Sequence, residues 1–452
     1  SHLEKESWIL DHSNKMGVPM KKSFSGEKPP AVVCPLDDHM GLDIARILSS
    51  RGVKVYGVDH NRNIPGRFSN SCEYVYCPFS EKEGDKYISF FEEFGSTLTE
   101  KAVLYPLSDE HVYLFSRYRD KLNKYFSYVM PEHALVERLI TKDGLYSIVC
   151  KHSIPAPRTF FVYNEKSFNS VSEELIYPAI IKPEESAFWH SEEAGRLLRK
   201  GLFAGRPKVV YCRDWQELRV AFNQIALIDP RVVIQEVIPG EDKNLIYTAF
   251  YCNSQSEVLG YFSGRKYRVI PKGFGSASYV KSYDDPELKE VVIKFLKDIN
   301  YQGLGGIEFK RDSRDGIYKI IEFNPRFGMW DGLSAYCGVN LPEIAYRDAL
   351  GLEAEKKLSF QSDIIWVDWQ RDIRAFFEYR SAGKLTFWQW LNSLLGKKVV
   401  AIYSFSDWKP GVFFTLSLLW KFGQRMKTEI IRTWNLLIKK RILPGSKFTS
   451  IL

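Results

Sequence analysis

The chain has 452 residues, 45% hydrophobic, 26% charged and 15% aromatic, with a formal net charge of +8. That length exceeds what one hydrophobic core usually serves and predicts two to four domains or subdomains. The composition is that of a soluble globular protein and excludes a collagenous or disordered chain, while the modest charge excess could favour nucleic acid or an anionic membrane, so that its distribution decides more than its sum, and no nucleic-acid partner is expected.

Seven cysteines, odd in number and without a C-x-x-C pair, fit a reduced, cytoplasmic compartment. All eight histidines lie at or before His190, so the second half of the chain has none to ligate a metal, and an oxygen-ligated ion is favoured there. Ser1-His2 reads as a cloning scar with no charged-then-apolar leader after it, so no secretion signal is expected.

In chain order, residues 1–28 are polar, lack apolar periodicity and read as a flexible lead-in. Residues 29–130 predict an α/β domain. Strands at 31–34 and 54–58 flank a helix at 41–51, giving a βαβ opening with the loop Pro35-Leu36-Asp37-Asp38-His39, and a further strand at 102–106 precedes a helix start at Ser108-Asp109-Glu110. No G-x-G-x-x-G fingerprint is present, so the opening is a weak dinucleotide candidate.

Helices are predicted from 131 until Ser153-Ile154-Pro155-Ala156-Pro157, where two prolines stop them. Lys142 in this stretch reads, taken alone, as a surface lysine. The strand at 177–183 ends in Lys182-Pro183, so its lysine is held by rigid backbone. The strand from 232 runs into Gln235-Glu236-Val237-Ile238-Pro239-Gly240-Glu241-Asp242, which by itself is a strand and a Pro-Gly turn.

Strands at 245–252 and 257–262 are followed by Arg265, Lys266 and Arg268, three cations in four positions. These form either a solvated face or a phosphate or carboxylate grip. Residues 286–300 predict a helix whose apolar stripe packs, with no chemical role.

Residues 305–328 read GGIEFKRDSRDGIYKIIEFNPRFG. Two alternating runs around a polar turn predict an antiparallel hairpin with Glu308 opposite or nearly opposite Glu322, and with Glu322 and Asn324 on one face. Like charges across a strand pair cost some tenths of a kcal/mol, which suggests a cation between them. Magnesium suits, being held by one or two carboxylates plus substrate phosphate oxygens. Arg326, two residues beyond Asn324, is placed to grip a phosphate or carboxylate.

This Glu-turn-Glu-x-Asn-Pro-Arg set resembles the metal-binding hairpin of the ATP-grasp superfamily, whose members phosphorylate a carboxylate with ATP and pass the acyl group to a nucleophile. The resemblance implies an α/β fold, α+β in the ATP-grasp core, with a preceding α/β domain that contributes acceptor contacts and a two-part ATP-grasp domain over residues 131–352. Its nucleotide-binding subdomain would cover about 176–240. It implies that Lys142 and Lys182 reach the nucleotide phosphates, that backbone beside Glu236 and Ile238, within Gln235–Ile238, meets the adenine edge, and that Asp242 accepts from the ribose hydroxyls. Glu308, Glu322 and Asn324 would hold Mg2+ or Mn2+, and Arg268 and Arg326 the transferring phosphoryl group or the oxyanion. D-alanine ligases carry a compact Gly/Ser-rich flap after the second lysine. Here residues 184–207 are longer and more charged, with Ser186, His190 and Lys208 as candidate contacts. Gly-Arg-Lys-x-Arg-x-x-Pro and Asn-Pro-Arg-Phe-Gly are similar to a bacterial, D-aspartate-ligase-like branch of carboxylate-amine ligases, implying small-molecule or polymer-bound carboxylate and amine substrates.

Residues 353–452 form a C-terminal extension holding Trp366, Trp369, Trp388, Trp390, Trp408, Trp420 and Trp434. Residues 412–420 are apolar but too short to span a bilayer, which needs about 20. Leu416, Leu419, Phe422, Met426, Ile430, Trp434 and Leu437 recur at helical spacing, and seven cations (Lys421, Arg425, Lys427, Arg432, Lys439, Lys440 and Arg441) outnumber Glu429. A break at Gly423 is expected to be possible. The basic amphipathic helix suits an anionic membrane at its inner face, and packing or a homodimer contact equally. Rival functions are a non-catalytic nucleotide-binding scaffold at a membrane assembly and a ligase using a nucleophile other than an amine.

Overall fold

The computed structural model describes residues 28–37, 39–171, 174–183 and 209–442. The lead-in over 1–27, Asp38, and the segment 184–208 with Ser186, His190 and Lys208 lie outside the described residues. So do the side chains of Phe422, Arg425 and residues 428–442, and with them the distal part of the expected stripe.

Among the described residues the strands form three sheets. The first takes β1 (Ala31–Cys34), β2 (Val55–Asp59), β3 (Glu73–Tyr76), β4 (Ala102–Pro106) and β5 (Phe126–Ser127) in the order β3-β2-β1-β4-β5, all parallel. β1 is wholly buried because helices cover a parallel sheet on both faces. The expected βαβ opening is present, with its helix at Met40–Ser49. The strand order reverses between β1 and β4, so the loops leaving their carboxyl ends open a crevice where such sheets bind ligands. His39 comes from the first of these loops, and Asp109 starts the helix Asp109–Arg117 after the second.

The second sheet joins β6 (Thr159–Val162), β7 (Ala179–Pro183), β8 (Val210–Cys212) and β9 (Val232–Glu236) as β6-β9-β7-β8, antiparallel. It has its own core, in which Phe168 and Phe222 stack at 4.0 Å.

The third sheet contains β10 (Leu245–Cys252), β11 (Val258–Ile270), β12 (Ser276–Ser282), β13 (Gly303–Arg311), β14 (Tyr318–Asn324), β15 (Ile365–Val367) and β16 (Lys398–Val400), in the order β14-β13-β10-β11-β12-β15-β16. Strand alternation splits its faces. Ile246, Phe250, Ile307, Phe309 and Phe323 pack under the helix Pro286–Asp298 through Leu288, Val292 and Phe295. Tyr247, Tyr251, Phe262 and Trp330 share a core with Leu42, Leu48 and Tyr105 of the first domain.

The sheet therefore continues beyond residue 352 into the C-terminal segment. There the helix Trp369–Ser381 lies against β11 and β12, and buried Asp407 takes Arg46 Nε at 2.9 Å and Ser69 Oγ at 2.6 Å from the first domain. The last helix runs Lys409–Ile442 without a break at Gly423. No helix among the described residues is long and apolar enough to cross a membrane.

Candidate active site

The hairpin β13–β14 forms in the expected register, with Glu308 directly opposite Glu322. A bulge just after Glu308 shifts the pairing, so that Ile320 and Phe323 both face the core while Glu322 stays on the cleft side. Glu322 is solvent-exposed yet ringed by protein, and its carboxyl is raised, by loss of water first and by the neighbouring Glu308 second. Asn324 turns its amide oxygen to Arg326 Nη2 at 3.1 Å, and Arg326 Nε donates to Asp109 Oδ1 at 2.8 Å. The hairpin end is thus joined to the crevice of the first domain.

Beneath it lies Tyr247, paired in register with Glu308. Its hydroxyl is buried without a hydrogen-bond partner among the described residues. A Cβ on Gly306 would stand 1.9 Å from that oxygen and one on Gly328 2.6 Å from it, so both positions must be glycine for the ring to fit. Asp331, in the loop after Arg326, takes Gly328 N at 2.6 Å, and burial pushes its carboxyl up to about 7. Asp43, in the first turn of the helix Met40–Ser49, is raised to about 6 by the same cause.

Two cations face this acidic wall. Lys142 opens the helix Lys142–Lys151, and its Nζ donates to Pro183 O at 2.8 Å, which brings it beside Lys182. Lys182 is lowered to about 8, by desolvation first and Lys142 next, with Glu322 opposing. Gln235 is near, its Oε1 at 3.5 Å from Lys182 Nζ.

The residues at the end of β9 and after it are partly engaged within the protein. Val237 N donates to Pro178 O at 2.9 Å, and Ile238 is buried. The Glu236 carboxylate accepts from Arg158 N at 3.1 Å and from Arg314 Nη2 at 3.3 Å, which fixes the second sheet to the hairpin turn. Asp242 accepts from the hydroxyl of Tyr379, on the helix Trp369–Ser381.

Arg268 is not brought to this group. Register shifts lie on both sides of it in β11, and its guanidinium is spent on buried Asp372, with Nε–Oδ1 at 2.7 Å and Nη2–Oδ2 at 2.9 Å, while Nη1 donates to Ser393 Oγ at 2.9 Å. Lys266, two residues earlier, makes an ion pair with Glu308 instead. Sequence reasoning had Lys266 only as a member of a charge run. Tyr247, Asp331 and Tyr379 carried no signal, since their neighbours come from distant segments.

Among the described residues, no three His, Cys, Asp or Glu side chains cluster as a ready metal cage. Two opposed carboxylates and an amide oxygen remain, a hard-oxygen set suited to a magnesium ion that shares its coordination with phosphate.

No family model matches the chain. It is similar to a D-aspartate ligase of Enterococcus faecium, 25% identical over 294 residues, 63% of this chain and 68% of that protein. It is also similar to an alpha-aminoadipate–LysW ligase of Saccharolobus solfataricus, 26% identical over 198 residues, 43% of this chain and 65% of that protein. Its fold is shared by the biotin carboxylase domain of the Hydrogenobacter thermophilus 2-oxoglutarate carboxylase, solved as a dimer with ADP, its magnesium salt and bicarbonate. The TM-score is 0.53 at 15% identity, over 74% of this chain and 73% of that one.

Proposed function

We propose that the chain, which belongs with the ATP-grasp carboxylate-amine ligases, transfers the γ-phosphoryl group of ATP to a substrate carboxylate and joins the acyl phosphate to an amine. The observation that carries this reading is the cleft in which Glu308 and Glu322 stand opposed on one wall and Lys142 and Lys182 converge from the other. The carboxylates would hold a divalent ion and the lysines the phosphate chain, whose charge the ion would help to neutralise.

Lys142 and Lys182 hold the nucleotide phosphates, Gln235–Ile238 the adenine edge and Asp242 the ribose. Glu308, Glu322 and Asn324 hold Mg2+ or Mn2+, which when bound supplies positive charge to the phosphoryl oxygens. Arg326, anchored on Asp109, orients the carboxylate or the oxyanion at the mouth of the first domain's crevice. The amine then attacks the acyl carbon and inorganic phosphate leaves, so the products are an amide, ADP and phosphate. Two of its relatives are by name a D-aspartate ligase and an alpha-aminoadipate–LysW ligase. A small or polymer-borne amino-acid carboxylate is the class to try first.

The test is ADP release on incubation with ATP, Mg2+ and pooled amino acids and carboxylates, with hydroxylamine to trap an acyl phosphate as hydroxamate. Turnover in the parent and its loss in Glu322→Gln, which removes charge without changing shape, are expected. Equal ADP release by both proteins would overturn the site.

A cytoplasmic enzyme that docks at an anionic membrane surface is a second reading, favoured by the exposure of Val412, Leu416, Leu419 and Trp420 along one side of the last helix. The other side packs inward, with Phe413 at 4.4 Å from Phe68. The net positive charge that the sequence gives this helix opposes pairing with a second copy. Leu416→Glu with Leu419→Glu should abolish sedimentation with anionic vesicles at low salt. Unchanged sedimentation would rule this surface out, and the same loss with neutral vesicles would rule out the charge.

A further inference from the structure

The carboxylate Glu308 already holds a cation, and it comes from an unexpected distance. Lys266 lies on β11 and Glu308 on β13, with β10 between them. Two inter-strand steps amount to about 10 Å. The lysine stem crosses the face of the sheet to make the ion pair, with its ammonium 6.0 Å from the centre of the Tyr247 ring. Lys266 is only 6% exposed. Arg268, two residues further along this strand, is fixed on Asp372 and takes no part.

Across the hairpin, Glu322 has no ion pair of its own among the described residues and feels Lys266 as an attractive charge. The Lys266 ammonium thus acts on both of the opposed carboxylates. A divalent ion needs those same oxygens and repels an ammonium beside it.

We propose that Lys266 is a resident counter-cation of the metal site. It occupies Glu308 while the cleft is empty, then gives Glu308 up and carries its ammonium to the phosphoryl group when metal and nucleotide enter together. The inference deepens the ligase reading and rests on it for the second half of that movement. The first half needs only that a divalent ion binds at Glu308 and Glu322.

Two consequences separate this role from a merely structural ion pair. The nucleotide-free protein should bind metal weakly, since the ion must displace an internal cation. Metal and nucleotide should each tighten the other's binding, because the phosphate offers the displaced ammonium a new partner.

The experiment is titration of full-length protein with Mn2+, with and without ADP, in the parent, Lys266→Met and Lys266→Arg. Lys266→Met should bind Mn2+ about fivefold or more tightly without ADP, lose the mutual enhancement, and release no ADP from ATP. Lys266→Arg, which keeps the charge, should leave nucleotide-free Mn2+ affinity near the parent's. If Lys266→Met is too unstable to purify, Lys266→Gln reads the same quantity. Mn2+ binding to the uncharged variant no tighter than to the parent would overturn the proposal. Tighter Mn2+ binding with no ligase turnover in the parent would leave the counter-cation standing and count against the ligase reading alone.

Discussion

Lys182 carries the clearest pH signature at the site. Its ordinary value of 10.5 falls to about 8, chiefly because the ammonium has lost water. Phosphate is held by the protonated form, so ADP affinity should decline as pH rises through about 8 and be steady below it. For stability the sign runs the other way. The unfolded lysine keeps its proton to higher pH than the folded one, so the nucleotide-free protein gains stability from about 8 up to the ordinary value. Titration calorimetry with ADP on either side of that value checks the binding claim, and Lys182→Ala should both weaken binding and flatten its pH dependence.

A second residue-scale prediction concerns the glycine after Arg326. In Gly328→Ala the new methyl would meet the Tyr247 hydroxyl at 2.6 Å and Asp331 Oδ1 at 2.9 Å. Overpacking of this kind costs about 1–3 kcal/mol. Adding Tyr247→Phe removes the first obstacle and should recover part of the loss in denaturant melts. No recovery would show that the hydroxyl is not what the methyl strikes.

At the scale of elements, the hairpin was legible because its alternation is strict and its turn polar, so even the pairing of Glu308 with Glu322 followed from counting. Lys182 was legible from the strand end that holds it before Pro183, whereas Lys142 alone read as a surface lysine and only the family resemblance set it beside Lys182. β11 was legible only as far as residue 262, although it runs to Ile270. Its last third holds Lys266 and Arg268, and buried charges look like surface until their partners are known. The partner of Arg268, Asp372, lies 104 residues along the chain. β15 and β16 are three residues each, too short for periodicity to register.

The helix Trp369–Ser381 was missed because buried Asp372 interrupts its apolar stripe. Its Tyr379 holds Asp242, the proposed ribose contact. Tyr379→Phe should leave the fold intact and weaken ATP several-fold, about the loss of one charge-assisted hydrogen bond. Asp372→Ala strands a buried guanidinium and should cost about 3–5 kcal/mol in chemical denaturation.

For the whole molecule, the first domain, the third sheet and the C-terminal segment share one continuous core, which joins Leu42 and Tyr105 to Trp330 and Trp366. The pairs Arg46 with buried Asp407 and His39 with buried Asp368 tie the first domain to the C-terminal segment. Removing the chain beyond residue 362 would strip Trp366 from that core and leave Arg46 without its carboxylate. The crevice of the first domain, built on this body, is rigid with respect to the hairpin β13–β14.

The second sheet is different, for its apolar core closes on itself between Val162 and Ile234. It is inserted in the larger body with a core of its own, and so it should melt separately. A heat-capacity trace of the ligand-free chain should show a minor, earlier transition for this unit ahead of the main one. Under the proposed function, ADP with Mg2+ would bind between this unit and the hairpin, and increasing its concentration should drive the early transition upward until the two merge. The nucleotide would then be what makes the chain melt as one molecule.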